Sequence, residues 1–126
     1  GKRMSINKLT VTGRLTADPV LSQVGDSNSA SFTLASDTRT KDAGGEYITN
    51  FYRCTAWRRL AEIAVQYLHK GDKVTIAGDL CLRPYVDKQG AQRLSVQVNV
   101  TDLELPAKVQ AAHSSARPAA DDDLPI

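Results

Sequence analysis

Phe51, Arg53, Thr55 and Trp57 occupy every second position of one short run, with Tyr52, Cys54 and Ala56 between them. In an extended chain that alternation puts two large aromatic rings on the same face as a guanidinium. Such a face does non-covalent chemistry. A ring stacks on a nucleobase, each contact contributing roughly 1–3 kcal/mol, and the intervening cation meets a phosphate. The same rings could instead cover a sheet or a subunit interface, because large exposed aromatics generally have a partner. Other clusters weigh toward nucleic acid. Arg83 and Tyr85 open a hairpin that holds Lys88 and precedes Arg93; Arg39, Lys41 and Tyr47 gather around a polar segment; Lys8 and Arg14 share the polar face of an early strand. Any one of these is an ordinary solvated charge. Together, in one small domain, they point to single-stranded nucleic acid. Stacking tolerates every base, whereas edge readout would need more Asn, Gln and Arg forks.

Catalysis finds less support. The two histidines, His69 and His113, stand apart, and no nucleophile–base pattern, phosphate loop or metal-spaced cluster accompanies them. The expectation is a non-enzyme with no catalytic residue, no metal and no cofactor. Cys54 and Cys81 are too few and too far apart for a disulfide framework or a zinc site. Both fall in strand-like runs, Cys81 on the parity that faces solvent. Charge becomes informative only when divided. Of 16 Lys and Arg all but Lys108 and Arg117 precede residue 107, and of 14 Asp and Glu all but Asp121, Asp122 and Asp123 do, which leaves a body of net +3 and a tail of −1.

The hydrophobic period shows which elements must hold the aromatic and cationic side chains. Leu9, Val11, Gly13 and Leu15 alternate with Lys8, Thr10, Thr12 and Arg14, a half-buried strand in which Gly13 marks a bulge or bend. Ala17-Asp18-Pro19 ends it. Ala30, Phe32 and Leu34 alternate with Ser31, Thr33 and Ala35 in a second strand, and the polar segment from Thr38 to Gly45 reads as a mobile loop or a wide hairpin connection. Phe51 to Trp57 is the third strand. The period then lengthens: Leu60, Ile63, Ala64, Tyr67 and Leu68 describe a helix from Arg58 to His69, stopped by Lys70-Gly71-Asp72. Val74, Ile76, Gly78, Leu80 and Leu82 mark a fourth strand, Asp87-Lys88-Gln89-Gly90 a turn, and Leu94, Val96, Val98 and Val100 a fifth strand. Leu103 and Leu105 fall on the opposite parity, which predicts a bulge near Thr101-Asp102.

Three strands, one helix and two strands describe a mainly β OB-fold, a five-stranded Greek-key barrel with its helix between the third and fourth strands. An open five-stranded α+β sandwich is the competing architecture. The folded domain is expected over residues 4–106. Residues 107–120, rich in Ala, Ser, Gln and Pro, form a flexible linker with a reach of about 20 Å. Asp121, Asp122, Asp123, Leu124, Pro125 and Ile126 follow as an acidic tip, whose carboxylates suit a basic pocket on another protein while Leu124 and Ile126 supply apolar contact. No run of about 18 apolar residues is present. The first residues lack the apolar stretch of an export signal, which points to the cytoplasm.

The run Asn7-Lys8-Leu9-Thr10-Val11-Thr12-Gly13-Arg14-Leu15 with Asp18-Pro19 resembles the opening strand of bacterial single-stranded DNA-binding proteins. Thr49-Asn50-Phe51-Tyr52-Arg53-Cys54-Thr55-Ala56-Trp57, then Leu60-Ala61-Glu62-Ile63-Ala64 and Tyr67-Leu68-His69-Lys70-Gly71-Asp72, is similar to that family's third strand and helix. Gly78-Asp79-Leu80, Arg83, Tyr85 and Gly90 fit its fourth strand and hairpin, and Asp121 to Ile126 its acidic tip. The resemblance implies a nucleoid-associated homotetramer that wraps single-stranded DNA without sequence preference in replication, recombination and repair. It implies too that the tip recruits replication and repair proteins. Phe51, Trp57 and Tyr85 correspond to the family's stacking aromatics, and Lys8, Arg14, Arg39, Arg53, Arg83, Lys88 and Arg93 are the cations expected to meet DNA. The alternative is a primosome-type OB-fold module that bridges replication proteins; such proteins generally lack the tip.

Overall fold

β-branched and aromatic residues on alternate positions favour extended chain, and one run of helical period interrupts them. In the computed structural model, which describes residues 5–106, these become β1 (Lys8–Leu15), β2 (Val20–Val24), β3 (Ser27–Lys41), β4 (Tyr47–Trp57), α1 (Arg59–Tyr67), β5 (Lys73–Val86) and β6 (Gln92–Glu104). The expected linker (107–120) and acidic tip (121–126) lie outside the described residues.

Five strands close into a ring. β1 pairs with β5, β5 with β6, β6 with β4, β4 with β3, and β3 returns to β1 at Arg14 and Leu15. All of these pairings are antiparallel except β4–β6. This is the expected OB-type barrel, with the helix entering the chain after the strand that carries Phe51 and Trp57. A sixth strand joins it: β2 pairs with β3 alone, outside the ring. All five residues of β2 are exposed, so the strand has no buried face and Val20, Leu21 and Val24 show no period to read.

The core is the inward parity of the ring. Leu15, Phe32, Leu34, Cys54, Ala56, Val74, Ile76, Val98 and Val100 are buried, and the helix closes the barrel with Ala61 and Ala64. Two glycines let strands approach, for different reasons. Gly13 sits in unbroken register opposite Val74, so it is not a bulge; a Cβ there would lie 2.8 Å from the Ala35 carbonyl oxygen, where β3 crosses β1. Gly78 faces the bulge expected near Thr101. Ala77 pairs with Asp102 and Gly78 with Val100, so Thr101 is the extra residue that reverses the parity of Leu103. A Cβ on Gly78 would run into Asn99.

The helix is shorter than its apolar period, ending at Tyr67 with Leu68 already extended. His69 therefore lies beyond it, its Nδ1 3.7 Å from the Asp72 carboxylate. The connection to β5 is anchored to the end of β1: Gly71 N–H donates to the Leu15 carbonyl (2.8 Å), and Lys70 N–H to the Asp18 carboxylate (2.8 Å).

Of the two forms expected for the polar segment after Thr38, the structure has the hairpin connection. β3 continues to Lys41, and only residues 42–46 turn the chain. Between the pairs Asp37–Thr49 and Lys41–Tyr47 the register shifts, and the Thr38 hydroxyl closes the irregularity by donating to the Ile48 carbonyl (2.8 Å) and accepting from Thr40 N–H (3.1 Å). The β3–β4 and β5–β6 hairpins end in the same device. Asp42 Oδ1 accepts from Gly44 and Glu46 N–H, and Asp87 Oδ1 from Gln89 and Ala91 N–H, all within 3.0 Å. Gly45 and Gly90 take the left-handed conformation at φ +86° and +84°.

Candidate nucleic-acid interface

β4 carries the site. Its inward side chains, Tyr52, Cys54 and Ala56, are half-buried or buried, which forces Phe51, Arg53, Thr55 and Trp57 onto the outer face. Phe51 is 56% and Trp57 37% exposed, so both rings can be reached. Parallel pairing with β6 sets Gln97 beside Arg53, and β6 in turn sets Gln97 beside Cys81 and Ser95 beside Arg83.

Two grooves meet on this face. One, of about 340 Å³, runs between the β1–β2 connection (Thr16, Ala17, Asp18) and Ser31, Thr33, Arg53 and Thr55 on β3 and β4. The other, of about 440 Å³, is bounded by Arg53 and Ser95 on one side and by Arg83, Pro84 and Tyr85 of the β5–β6 hairpin on the other. Arg53 and Gln97 line both. A guanidinium and an amide at the junction, with Phe51, Trp57 and Tyr85 around it, can hold a phosphate while bases stack to either side. The grooves flank the face where oligonucleotide-binding barrels take their ligands, between the loops after the first and fourth barrel strands.

The remaining cations are placed differently. Arg93 is opposite Tyr85, but its Nε donates to Asp87 Oδ2 at 2.8 Å, so it also braces the hairpin tip. That guanidinium, with the Ala91 and Gln89 N–H groups, holds the Asp87 carboxyl below its usual 3.8. Lys88 is exposed in the same tip. Arg39 lies in the outer half of β3, in the stretch where the register shifts. Lys8 and Arg14 line neither groove, although β3 sets Arg14 opposite Ala35, which is opposite Phe51. They sit on β1, which borders β5 and β3; Lys8 pairs with Asp79 at 3.3 Å, and Arg14 donates to the Gly71 carbonyl at 3.0 Å. The expected residues Asp121 to Ile126 lie outside the described residues.

Gln97 is an addition, and Tyr47, expected within the polar segment, opens β4 instead. Nothing local singles out Gln97, because its nearness to Arg53 comes from the parallel β4–β6 pairing between distant segments. Tyr47 shares the outer parity of Phe51, but the polar residues before it conceal that the strand has begun. Cys54 is buried and its thiol is pushed up to about 12 by desolvation, which leaves it inert, whereas Cys81 is exposed beside Gln97. Among the described residues no cluster of three metal-ligating side chains occurs, and no helix is long and apolar enough to cross a membrane.

The model of the single-strand binding protein family matches residues 6–106. A single-stranded DNA-binding protein of Bifidobacterium longum is 38% identical over 100 residues, covering 75% of this chain and 46% of that protein. One from Lactiplantibacillus plantarum is 35% identical, covering 79% and 50%. The chain thus spans about half the length of these two relatives. Single-stranded DNA-binding protein 1 of Xylella fastidiosa is 31% identical over 130 residues, covering 94% of this chain and 96% of its own. The crystal structure of a small single-stranded DNA-binding protein from Streptomyces coelicolor superimposes with a TM-score of 0.72 at 27% identity, covering 84% of this chain and 99% of that one.

Proposed function

The chain belongs to the single-strand binding protein family, and from that premise we propose that it binds single-stranded DNA without sequence preference, protecting it in replication, recombination and repair. One observation carries the reading: Arg53 lines both grooves and is flanked on the same face of β4 by Phe51 and Trp57. Residues 4–106 form the DNA-binding domain, with Phe51, Trp57 and Tyr85 stacking bases and Arg53 and Arg83 at the phosphates. Lys88, Arg93 and Arg39 extend the cationic track along the hairpins, and Lys8 and Arg14 receive a strand that wraps past β1. The protein catalyses no reaction. Residues 107–120 tether the tip, Asp121 to Ile126, which recruits replication and repair proteins to DNA coated in the cytoplasm.

The DNA-bound form is a homotetramer in this reading. Two features support self-association. From Lys8 to Gly13, β1 is paired on one edge only, by β5. Leu82, Val86 and Leu94 continue the inward parity of the barrel onto the projecting β5–β6 hairpin, where each is more than half exposed.

Trp57 is the single tryptophan and reports on its own site. Adding poly-dT is expected to quench its fluorescence and to retard the oligonucleotide on a gel. Affinity should fall with salt by about 0.7 log units per log unit for each phosphate neutralised. Unchanged fluorescence together with unchanged mobility would sink the reading.

A further inference from the structure

We propose that Arg58, at the turn from β4 into α1, binds the phosphate of the nucleotide stacked on Trp57, and that an arginine is kept there at the expense of backbone strain. The inference rests on the single-strand reading above and extends it to a residue outside both grooves, at a position whose backbone geometry favours glycine.

Among the described residues Arg58 is the single non-glycine position with a positive φ, at +56°. Glycine takes such angles freely, whereas a residue with a side chain is strained there and persists where something else requires it. The fold itself makes no use of this side chain. The backbone of Arg58 serves the turn, its N–H donating to the Asn28 carbonyl and its carbonyl accepting from Glu62 N–H. Any residue other than proline would supply both bonds. The side chain is exposed and caps no helix N–H. It forms no hydrogen bond or ion pair among the described residues, Glu62 four positions on included.

Its placement supplies the missing reason. The last β3–β4 pair joins Ser29 to Trp57, and the Arg58–Asn28 bond carries the ladder one residue further. Arg58 therefore follows the Trp57 ring by one Cα step, about 3.8 Å. The rest of that end of the face is uncharged. Trp57 lies in a row with Ser29 and Ser22, and Thr55 in a row with Ser31 and Val20. The nearest cation on the outer face of β4 is Arg53, four residues and about 13 Å back along the strand. Asp18, in the groove between them, adds a carboxylate. A base stacked on Trp57 would bring its phosphate to a surface with no positive charge of its own. A guanidinium with unused donors meets that need, as Arg53 does where the grooves join.

The charge and the strain are separable. Arg58→Ala removes the guanidinium but keeps a Cβ at the strained position, Arg58→Gly removes both, and Arg58→Lys keeps a positive charge. Each variant is titrated with poly-dT over a range of salt. The Ala and Gly variants should lose about 0.7 from the slope of log affinity against log salt. They are expected to bind about 5-fold more weakly than wild type near 0.1 M salt, a deficit that closes toward 1 M. Arg58→Lys should keep the wild-type slope. Wild-type affinity and slope for Arg58→Ala, or a slope for Arg58→Lys as low as that of Arg58→Ala, would overturn the role of Arg58 alone. So would weak binding confined to Arg58→Gly, which would trace the loss to a loosened turn. A wild-type protein that leaves poly-dT unbound would overturn the single-strand reading and this inference with it.

Discussion

Arg58 follows Trp57 and takes φ +56°, ψ −119°, the angles of the first central position of a type II′ turn, where glycine is at home and arginine is strained. The turn is needed there. It converts the outward path of β4 into a helix that plugs the barrel, with Arg58 N–H donating to the Asn28 carbonyl at 2.8 Å. Replacing Arg58 with Gly removes about 1–3 kcal/mol of strain and adds roughly 0.5–1 kcal/mol of chain entropy to be lost on folding. The expected outcome is a higher urea midpoint; a lower one would mean that the Arg58 side chain stabilises the fold by more than its backbone costs. This strain has no mark in the sequence, since Trp57-Arg58-Arg59 reads as an ordinary helix entry. The faces of Phe51, Arg53 and Trp57 are legible by contrast, because strand parity is a property of adjacent residues.

Among the elements, the two hairpin tips share one design, an aspartate that accepts two backbone N–H groups and a glycine at positive φ three residues later. The β5–β6 tip adds the Arg93–Asp87 pair, which gives it a pH dependence. The carboxyl of Asp87 is held below its usual 3.8, first by Arg93 and then by the tip amides. A depressed folded value means that its contribution is fully present above 3.8 and is lost as pH falls through the lower, folded value. Followed by NMR, Asp87 should titrate with a midpoint below 3.8, and the Gln89 and Ala91 amides should lose their protection together with it. A midpoint at or above 3.8 would contradict the assignment. The bulge at Thr101 could be read from the parity switch at Leu103. The strand β2 could not, because a strand exposed on both faces leaves no hydrophobic period.

For the whole molecule, the homotetramer and the tip are joined in one measurement. Sedimentation of the full chain, and of a chain ending at Pro106, each with and without a dT oligonucleotide, should give the same assembly and the same DNA stoichiometry. Only the full chain should then carry a replication or repair protein into the complex. A monomer would remove the proposed use of the exposed Leu82, Val86 and Leu94; loss of DNA binding on truncation would place part of the DNA site beyond residue 106. What the amino-acid sequence determined by itself is local: the parity of each strand in the barrel, the helical run, the turn residues, and with them the aromatic and cationic face of β4. What only the tertiary structure decided is adjacency. Parallel pairing of β4 with β6 puts Gln97 against Arg53, and the pairing of β1 with β5 leaves Lys8 outside the lining of both grooves, beside Asp79. Side-chain alternation is set by neighbouring dihedrals, while strand order is set by which distant apolar faces can be buried together, and that balance is struck over the whole chain.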